Sequence, residues 1–430
     1  MKKYILLLVI IIFPIFIYSQ NKNTISGEAG YILNISRLRN GLEGVIQGYK
    51  YCDPNLPEEK RWLANQLVYM DLKYRYTNLI EFGGGLSLYI NDKNNNNLLT
   101  VLPQLYLKYT PIDWVSFNFG KQRLKWGTSN IFHPIDKLET QADTFDLHAL
   151  VEGLGGIRAT FIPTDWFSIS VLALPDYEIR WTKAALRFDF VAWDIDIGFG
   201  GIKYDYKQIK SITSDTPEIE RLDRGAAFFD IIRYFGNVGL YGEFEFRFSR
   251  EKQYGFIDNS GTYQVTREAF AAQPVFRVST GITYKMDKKP YLNLVCEYFF
   301  NSDGFDQNEA KSFYAKYKYH RDNYSSKQMV LWQGFGKFTN FRQHYLYIGV
   351  SNIEVVDFMA FNASVISNLE TLSFDFSAGI TFNLNKLIYI NLKYEYLHQF
   401  LDMDEYPSDL NFINDNHKIT LSVSTSYSNL

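Results

Sequence analysis

Residues Thr371–Tyr396 read TLSFDFSAGITFNLNKLIYINLKYEY. Leu372, Phe374, Phe376, Ala378, Ile380 and Phe382 alternate with Thr371, Ser373, Asp375, Ser377, Gly379 and Thr381. After the turn Asn383–Lys386 the pattern resumes, with Ile388, Ile390, Leu392, Tyr394 and Tyr396 against Tyr389, Asn391, Lys393 and Glu395. A period of two sends each set to its own face of a sheet. One face is apolar and aromatic, and the other carries Asp, Lys and Glu. Each run is close to the ~9–11 residues with which a tilted strand crosses a bilayer.

The pattern recurs along the chain. Val68, Met70, Leu72, Tyr74 and Tyr76 oppose Asp71, Lys73 and Arg75; Leu105, Leu107 and Tyr109 oppose Gln104, Tyr106 and Lys108; Val238, Leu240, Phe244 and Phe246 oppose Glu243, Glu245 and Arg247. Short turns at Thr77–Leu79, Pro111–Trp114, Pro163–Trp166, Gly236–Asn237 and Asn383–Lys386 alternate with long polar segments at Arg37–Arg61, Gly127–Gly153, Lys203–Arg224, Arg250–Gln273, Asn301–Lys327 and Gln399–Asn416. Short periplasmic turns and long external loops characterise outer-membrane barrels, so the chain is expected to be an all-β, antiparallel up-and-down transmembrane barrel of about 18 strands, within roughly 16–20. Lys327–Phe341 is the segment that leaves the count open. A one-residue slip of Ile388–Tyr396 would put Lys393 and Glu395 into lipid, at ~2–4 kcal/mol for a lysine near the midplane.

Composition agrees. The 32 Tyr and 35 Phe exceed what a soluble core needs, at a mean hydropathy of only −0.20, whereas a barrel places such rings in girdles at both interfaces. Lys2 and Lys3, the apolar run Tyr4–Tyr18 and Ser19 read as a cleaved export signal over residues 1–20, ahead of a barrel domain over residues 21–430. Removing the two lysines leaves 42 basic against 47 acidic residues, a mild balance that argues against nucleic acid as a partner. Cys52 and Cys296 read as free thiols, because one sits in a loop and the other on a lipid face.

A small repeat relates Tyr109-Thr110-Pro111-Ile112-Asp113-Trp114 to Phe161-Ile162-Pro163-Thr164-Asp165-Trp166. Proline sets the turn, Asp bonds local backbone, and Trp takes the interfacial depth. The most distinctive motif is Gly120-Lys121-Gln122-Arg123-Leu124-Lys125-Trp126-Gly127, with Phe132-His133-Pro134-Ile135-Asp136 and Glu152-Gly153 beyond it. It resembles the G-[KR]-Q-x-x-x-W-G signature of a broad group of bacterial porin-like outer-membrane proteins, related in layout to alginate-export-type barrels. The resemblance covers Gly120–Pro175 and implies a barrel that transports solutes.

If the 127–153 loop folds inward, Gln122, Arg123, Lys125, Trp126, His133, Asp136, Glu152 and Arg158 are the candidates for a constriction. The alternative is that they only lock strand to loop. Parity places Asp71, Lys73, Arg75, Glu81, Lys108, Glu243, Glu245, Arg247, Glu297, Lys393 and Glu395 on the lumen wall, with Arg187, Asp189 and Asp375. Their signs are mixed, so no ring of one charge imposes strong ion selectivity. No nucleophile elbow, phosphate loop or metal-spaced Cys/His pair occurs, so no enzyme activity, metal or cofactor is expected. The six histidines read as scattered surface residues, and Asp303-Gly304-Phe305-Asp306 as a solvated turn.

The expected function is passive diffusion of small hydrophilic solutes through a lumen narrowed by the 127–153 loop. The rival is a sealed barrel that binds ligands through its external loops, as an adhesin does. Expected partners are outer-membrane lipid, the solutes and the barrel-assembly machinery, although the last strand ends at Leu430 rather than an aromatic residue. Oligomerisation stays open.

Overall fold

The structure is a computed structural model that describes residues 23–428 except 39–41, 47–48, 54–61, 77–78, 92–97, 123, 125, 136–153, 177, 214–215, 251–253, 258–262, 267–272, 289–290, 323–340, 385–387, 403 and 409–414. The expected leader, most of Lys327–Phe341, and Arg123, Lys125, Asp136 and Glu152 lie outside the described residues. Of Asp71 and Arg75 only the backbone is described.

The chain enters the sheet with β1 (Asn23–Leu38), followed by a separate hairpin, β2 (Leu42–Ile46) and β3 (Tyr49–Asp53). The wall continues through β4 (Trp62–Tyr76), β5 (Ile80–Asn91), β6 (Leu98–Ile112), β7 (Val115–Gln122), β8 (Leu154–Thr164) and β9 (Phe167–Leu174). Next come β10 (Lys183–Ala192), β11 (Ile195–Thr213), β12 (Thr216–Phe235) and β13 (Val238–Arg247), then two short strands, β14 (Tyr254–Ile257) and β15 (Tyr263–Thr266). After β16 (Val275–Met286) and β17 (Leu292–Asn301) stands a helix, α1 (Gln307–Asp322). The last strands are β18 (His344–Val356), β19 (Met359–Asn368), β20 (Ser373–Asn383), β21 (Ile388–Gln399) and β22 (Asp415–Ser428).

Leaving aside β2, β3, β14 and β15, 18 strands form the wall, each antiparallel to its neighbours. Closure is direct: β1 pairs with β22 from Ser26↔Ser428 to Leu38↔Asp415 and with β4 from Asn23↔Tyr76 to Arg37↔Trp62. Among the described residues each of the 18 wall strands pairs on both sides, which is the condition for a sheet to survive in lipid.

Side chains sort by parity. Phe376, Leu392 and Tyr394 on β20 and β21, Leu105, Leu107 and Tyr109 on β6, and Phe276, Ile282 and Tyr284 on β16 are exposed outward. Their alternates Asp375, Glu395, Arg277 and Ser279 are buried inward. Cys296 is a free thiol on the outward face of β17.

Tight turns gather at one end. Trp114 and Trp166 stand exposed there, and their carbonyls accept Ile162 N–H (2.8 Å) and Val191 N–H (2.9 Å) from the next strand. Both copies of the Pro-x-Asp-Trp repeat therefore do the same work. Between β10 and β11, Trp193 (φ 52°) and Asp194 (φ 60°) form a left-handed pair, the twist that two-residue hairpins prefer.

Several local expectations change. Leu372 has φ 48° and belongs to the turn before β20. Lys203–Arg224 is not a loop, because β11 and β12 stay paired to Thr213↔Thr216, with one register shift between Ile209 and Ser211. Cys52 lies on β3, paired with Glu43. Asn301–Lys327 contains α1, started by a capping box: Asp306 accepts the N–H groups of Asn308 (2.8 Å) and Glu309 (2.9 Å), and Glu309 accepts that of Asp306 (3.0 Å).

At the long-loop end, Arg342 joins three loops. Its guanidinium donates to Glu370 (3.0 Å), to the Pro407 carbonyl (3.0 Å) and to Gln307 of α1 (3.0 Å).

Candidate functional site

Beyond β7 the chain turns into the barrel and crosses it. Gly120 sets the departure, with φ +108° and a position where a Cβ would stand 2.3 Å from the Leu105 carbonyl. Only glycine accepts both conditions. Leu124, Trp126 and Ile135 then bury themselves against the inward faces of β9–β12, among Leu172, Leu174, Ala185, Ile202, Tyr204, Ala226 and Phe228. The Trp126 ring lies 5.9 Å from that of Phe228. This quarter of the inner wall is dry, contrary to the expectation of a polar interior throughout.

A segment threaded through a lumen has no strand beside it to take its backbone N–H groups, so each must find a partner elsewhere. Two wall carboxylates supply them. Glu243 on β13 accepts Ser129 N–H at 3.0 Å and Ile135 N–H at 2.9 Å. Glu297 on β17 accepts Asn130, Ile131 and Phe132 N–H at 3.0, 3.2 and 2.7 Å. Tyr241 (2.5 Å) and Ser279 (2.7 Å) donate to the same Glu297 carboxylate. Both glutamates have zero solvent exposure. Five donors converge on the Glu297 carboxylate and two backbone N–H groups on that of Glu243, so the segment is clasped rather than merely packed.

Gly127 belongs to the same device, since a Cβ there would stand 2.1 Å from Glu243 Oε2. Phe132 stacks on Phe299 at 5.0 Å beside Tyr345 and Ile366. Arg277 donates to the Pro134 carbonyl at 3.0 Å while facing Glu245 at 3.5 Å, and Glu245 also holds Arg247 at 2.7 Å. Arg187 donates to the Trp126 carbonyl and pairs with Asp189 (2.5 Å) and Asp230 (2.8 Å).

Sequence-derived candidates thus separate into two groups. Trp126, Glu243 and Glu297 hold the inserted segment, Glu245 and Arg247 stand behind Arg277, which bonds it, and His133 rides on it, half-buried. The glutamates lie beneath the segment instead of on open wall. The second group stands on other strands. Lys73 pairs with Glu81 at 3.0 Å, and Glu81 accepts the Tyr106 hydroxyl at 3.0 Å. Glu395 pairs with Lys393 (2.6 Å) and Lys418 (3.4 Å). Lys108 and Arg158 flank Asn118 in one cross-strand row, and neither forms an ion pair among the described residues. Asn118 lies 3.3 Å from buried Gln122, and turning its amide puts the oxygen 2.5 Å from Arg158 Nη2.

Tyr241, Ser279, Arg277 and Asp230 were not among the candidates. Asp230 did leave a signal: a lone acid inside Ala226-Ala227-Phe228-Phe229-Asp230-Ile231-Ile232 requires a buried partner. Among the described residues no cluster of His, Cys, Asp and Glu could hold a metal ion.

The fold has solved counterparts. Pseudomonas aeruginosa OccK11 (OpdR) is similar at TM-score 0.52 and 8% identity, covering 95% of this chain and 96% of that one. OccK5 (OpdH) of the same organism is similar at TM-score 0.51 and 10% identity, over 95% and 99% of the two chains. OccK8 (OprE) is similar at TM-score 0.50 and 11% identity, over 95% and 98%. No family model matches the chain, and no curated protein matches it. The fold is that of an outer-membrane porin-type β-barrel.

Proposed function

We propose that this chain sits in the outer membrane, after loss of Met1–Gln20, as a passive channel for small hydrophilic solutes. The carrying observation is the segment Thr128–Ile135, which crosses the lumen and is clasped by Glu243 and Glu297 on the far wall. A barrel needed only as a surface scaffold has no use for a strap held at a fixed place inside it. The strap narrows the passage, which runs along the inward faces of β4–β8 and β20–β22. Solutes meet Lys73, Lys108, Arg158 and Lys393 there, beside the buried Glu81, Gln122 and Glu395. We read Gly120–Gly127 as the mark of the porin-like, alginate-export-type group that it resembles. The barrel-assembly machinery is the expected partner in insertion.

Planar-bilayer recording tests the proposal. Steady single-channel openings are expected, larger in a variant lacking residues Ser129–Asp146. Correctly folded protein without openings would favour the ligand-binding rival, for which the loop packing around Arg342 is the supporting observation. Openings unchanged by the deletion would remove the strap from the mechanism.

A further inference from the structure

The strap meets more than the two glutamates. Its Phe132 ring lies 5.0 Å from Phe299 of β17 and 6.4 Å from Tyr345 of β18, with Ile366 of β19 completing the pocket. Phe299 and Tyr345 stand directly opposite each other on paired strands, their rings 6.3 Å apart. Arg277, which bonds the Pro134 carbonyl, also lies 5.4 Å over the Phe299 ring, so one wall of the pocket is fixed from within the barrel. The other wall, Tyr345, is fixed from the long-loop end. Its hydroxyl accepts the backbone N–H of Arg342 at 2.7 Å, and both residues are buried.

Arg342 belongs to a folded cap with a small core of its own. Phe341 stacks on Phe305 at 4.9 Å, and Phe305 meets Phe313 of α1 at 4.9 Å. Phe305 N–H donates to the Phe341 carbonyl (2.8 Å) and Asn301 N–H to that of Gln343 (2.9 Å), while Glu370 accepts Gln343 N–H (2.8 Å). The Arg342 guanidinium adds the loop after β21 through the Pro407 carbonyl, and Gln307 of α1 reaches that loop too, donating to the Glu405 carbonyl at 2.7 Å. This loop lies on the inner side of the rim, because Gln399, on the inward face of β21, bonds both Ser408 Oγ (2.6 Å) and the Tyr406 carbonyl (2.7 Å).

We propose that Arg342 and Tyr345 are positioning residues for the strap, which is set from the external cap as well as from the wall. Cap and strap form one packed body, joined where the Arg342 N–H meets the Tyr345 hydroxyl. The guanidinium ties three segments together and so holds that N–H in place. A buried polar group keeps its place only while its hydrogen bonds are met. With the cap loosened, Tyr345 loses its donor, the Phe132 pocket loses a wall, and the clasped amides of Ser129, Asn130, Ile131 and Phe132 open more often. The consequence for an aperture rests on the channel reading; the coupling itself does not.

Hydrogen exchange on the folded full chain in detergent micelles, followed by mass spectrometry, reads the strap directly, because its amides are the groups that Glu243 and Glu297 hold. R342A is expected to speed exchange over residues 128–135 about five- to tenfold, the effect of roughly one lost hydrogen bond, while β5 and β6 keep the parent's rate. Y345F keeps the ring and removes only the hydroxyl, and should speed the strap similarly with a smaller change in α1. The double variant should exchange no faster in the strap than R342A alone, since both changes cut one line of contact. If R342A does not fold, Y345F carries the test. A strap that exchanges at the parent's rate in the variants, an increase shared equally by β5 and β6, or simple additivity in the double variant would each overturn the proposal. Bilayer recordings of Y345F should show more frequent current fluctuations. A barrel that never conducts yet shows the coupled exchange would remove the channel reading and leave the coupling standing.

Discussion

Glu297 and Phe132 are separated by 165 residues, yet the carboxylate of one accepts the backbone N–H of the other at 2.7 Å. That bond and its four companions make the strap's position a property of the wall. In Glu297→Gln, one oxygen that faces N–H donors becomes an NH2 group and can no longer accept from them. A loss of about 2 kcal/mol from the clasp follows. Single-channel recordings should then show frequent current fluctuations on an otherwise intact barrel, and a trace as quiet as the parent's would show that the clasp does not set the aperture.

Gly127→Ala should cost about 1–3 kcal/mol, the usual range for overpacking, because the added carbon collides with Glu243. Urea unfolding in micelles measures it. The double variant Gly127→Ala/Glu243→Ala should show coupling between the two sites; simple additivity would mean that the contact does not matter.

Arg187→Met leaves Asp230, which has no solvent exposure, as an unpaired buried charge. The expected loss is about 3–5 kcal/mol. Adding Asp230→Asn should restore a good part of it. Equal midpoints for the single and double variants would contradict the pairing.

Leu392→Arg tests the outward face of β21. Leu392 is 45% exposed, and in lipid the substitution should cost ~2–4 kcal/mol near the midplane. Refolding into bilayers against urea reads the difference, and an unchanged midpoint would mean that this face does not meet lipid.

Much of this architecture was legible in the sequence because lipid enforces alternation. Strands such as β20 and β21, the tight turns and the strand number follow from a period of two and from turn chemistry. The extension of β11 and β12 past Lys203 was not legible, since alternation says where a strand is regular but not where the bilayer stops. Helix α1 carried a readable start in Asp306-x-x-Glu309 that a polar loop composition masked. The strap was readable only in part. Gly120, Trp126 and Gly127 stood out as a motif, but its landing on Glu243 and Glu297 depends on contacts more than 100 residues away. Parity could likewise put Leu172, Ala185, Ile202 and Phe228 inside without showing that this part of the interior is dry.

Glu243 and Glu297 grip main-chain amides, and amides are the same whatever residue bears them. The grip itself therefore makes no demand on which side chain follows each amide. A segment anchored in this way can change its sequence while its course through the barrel stays put.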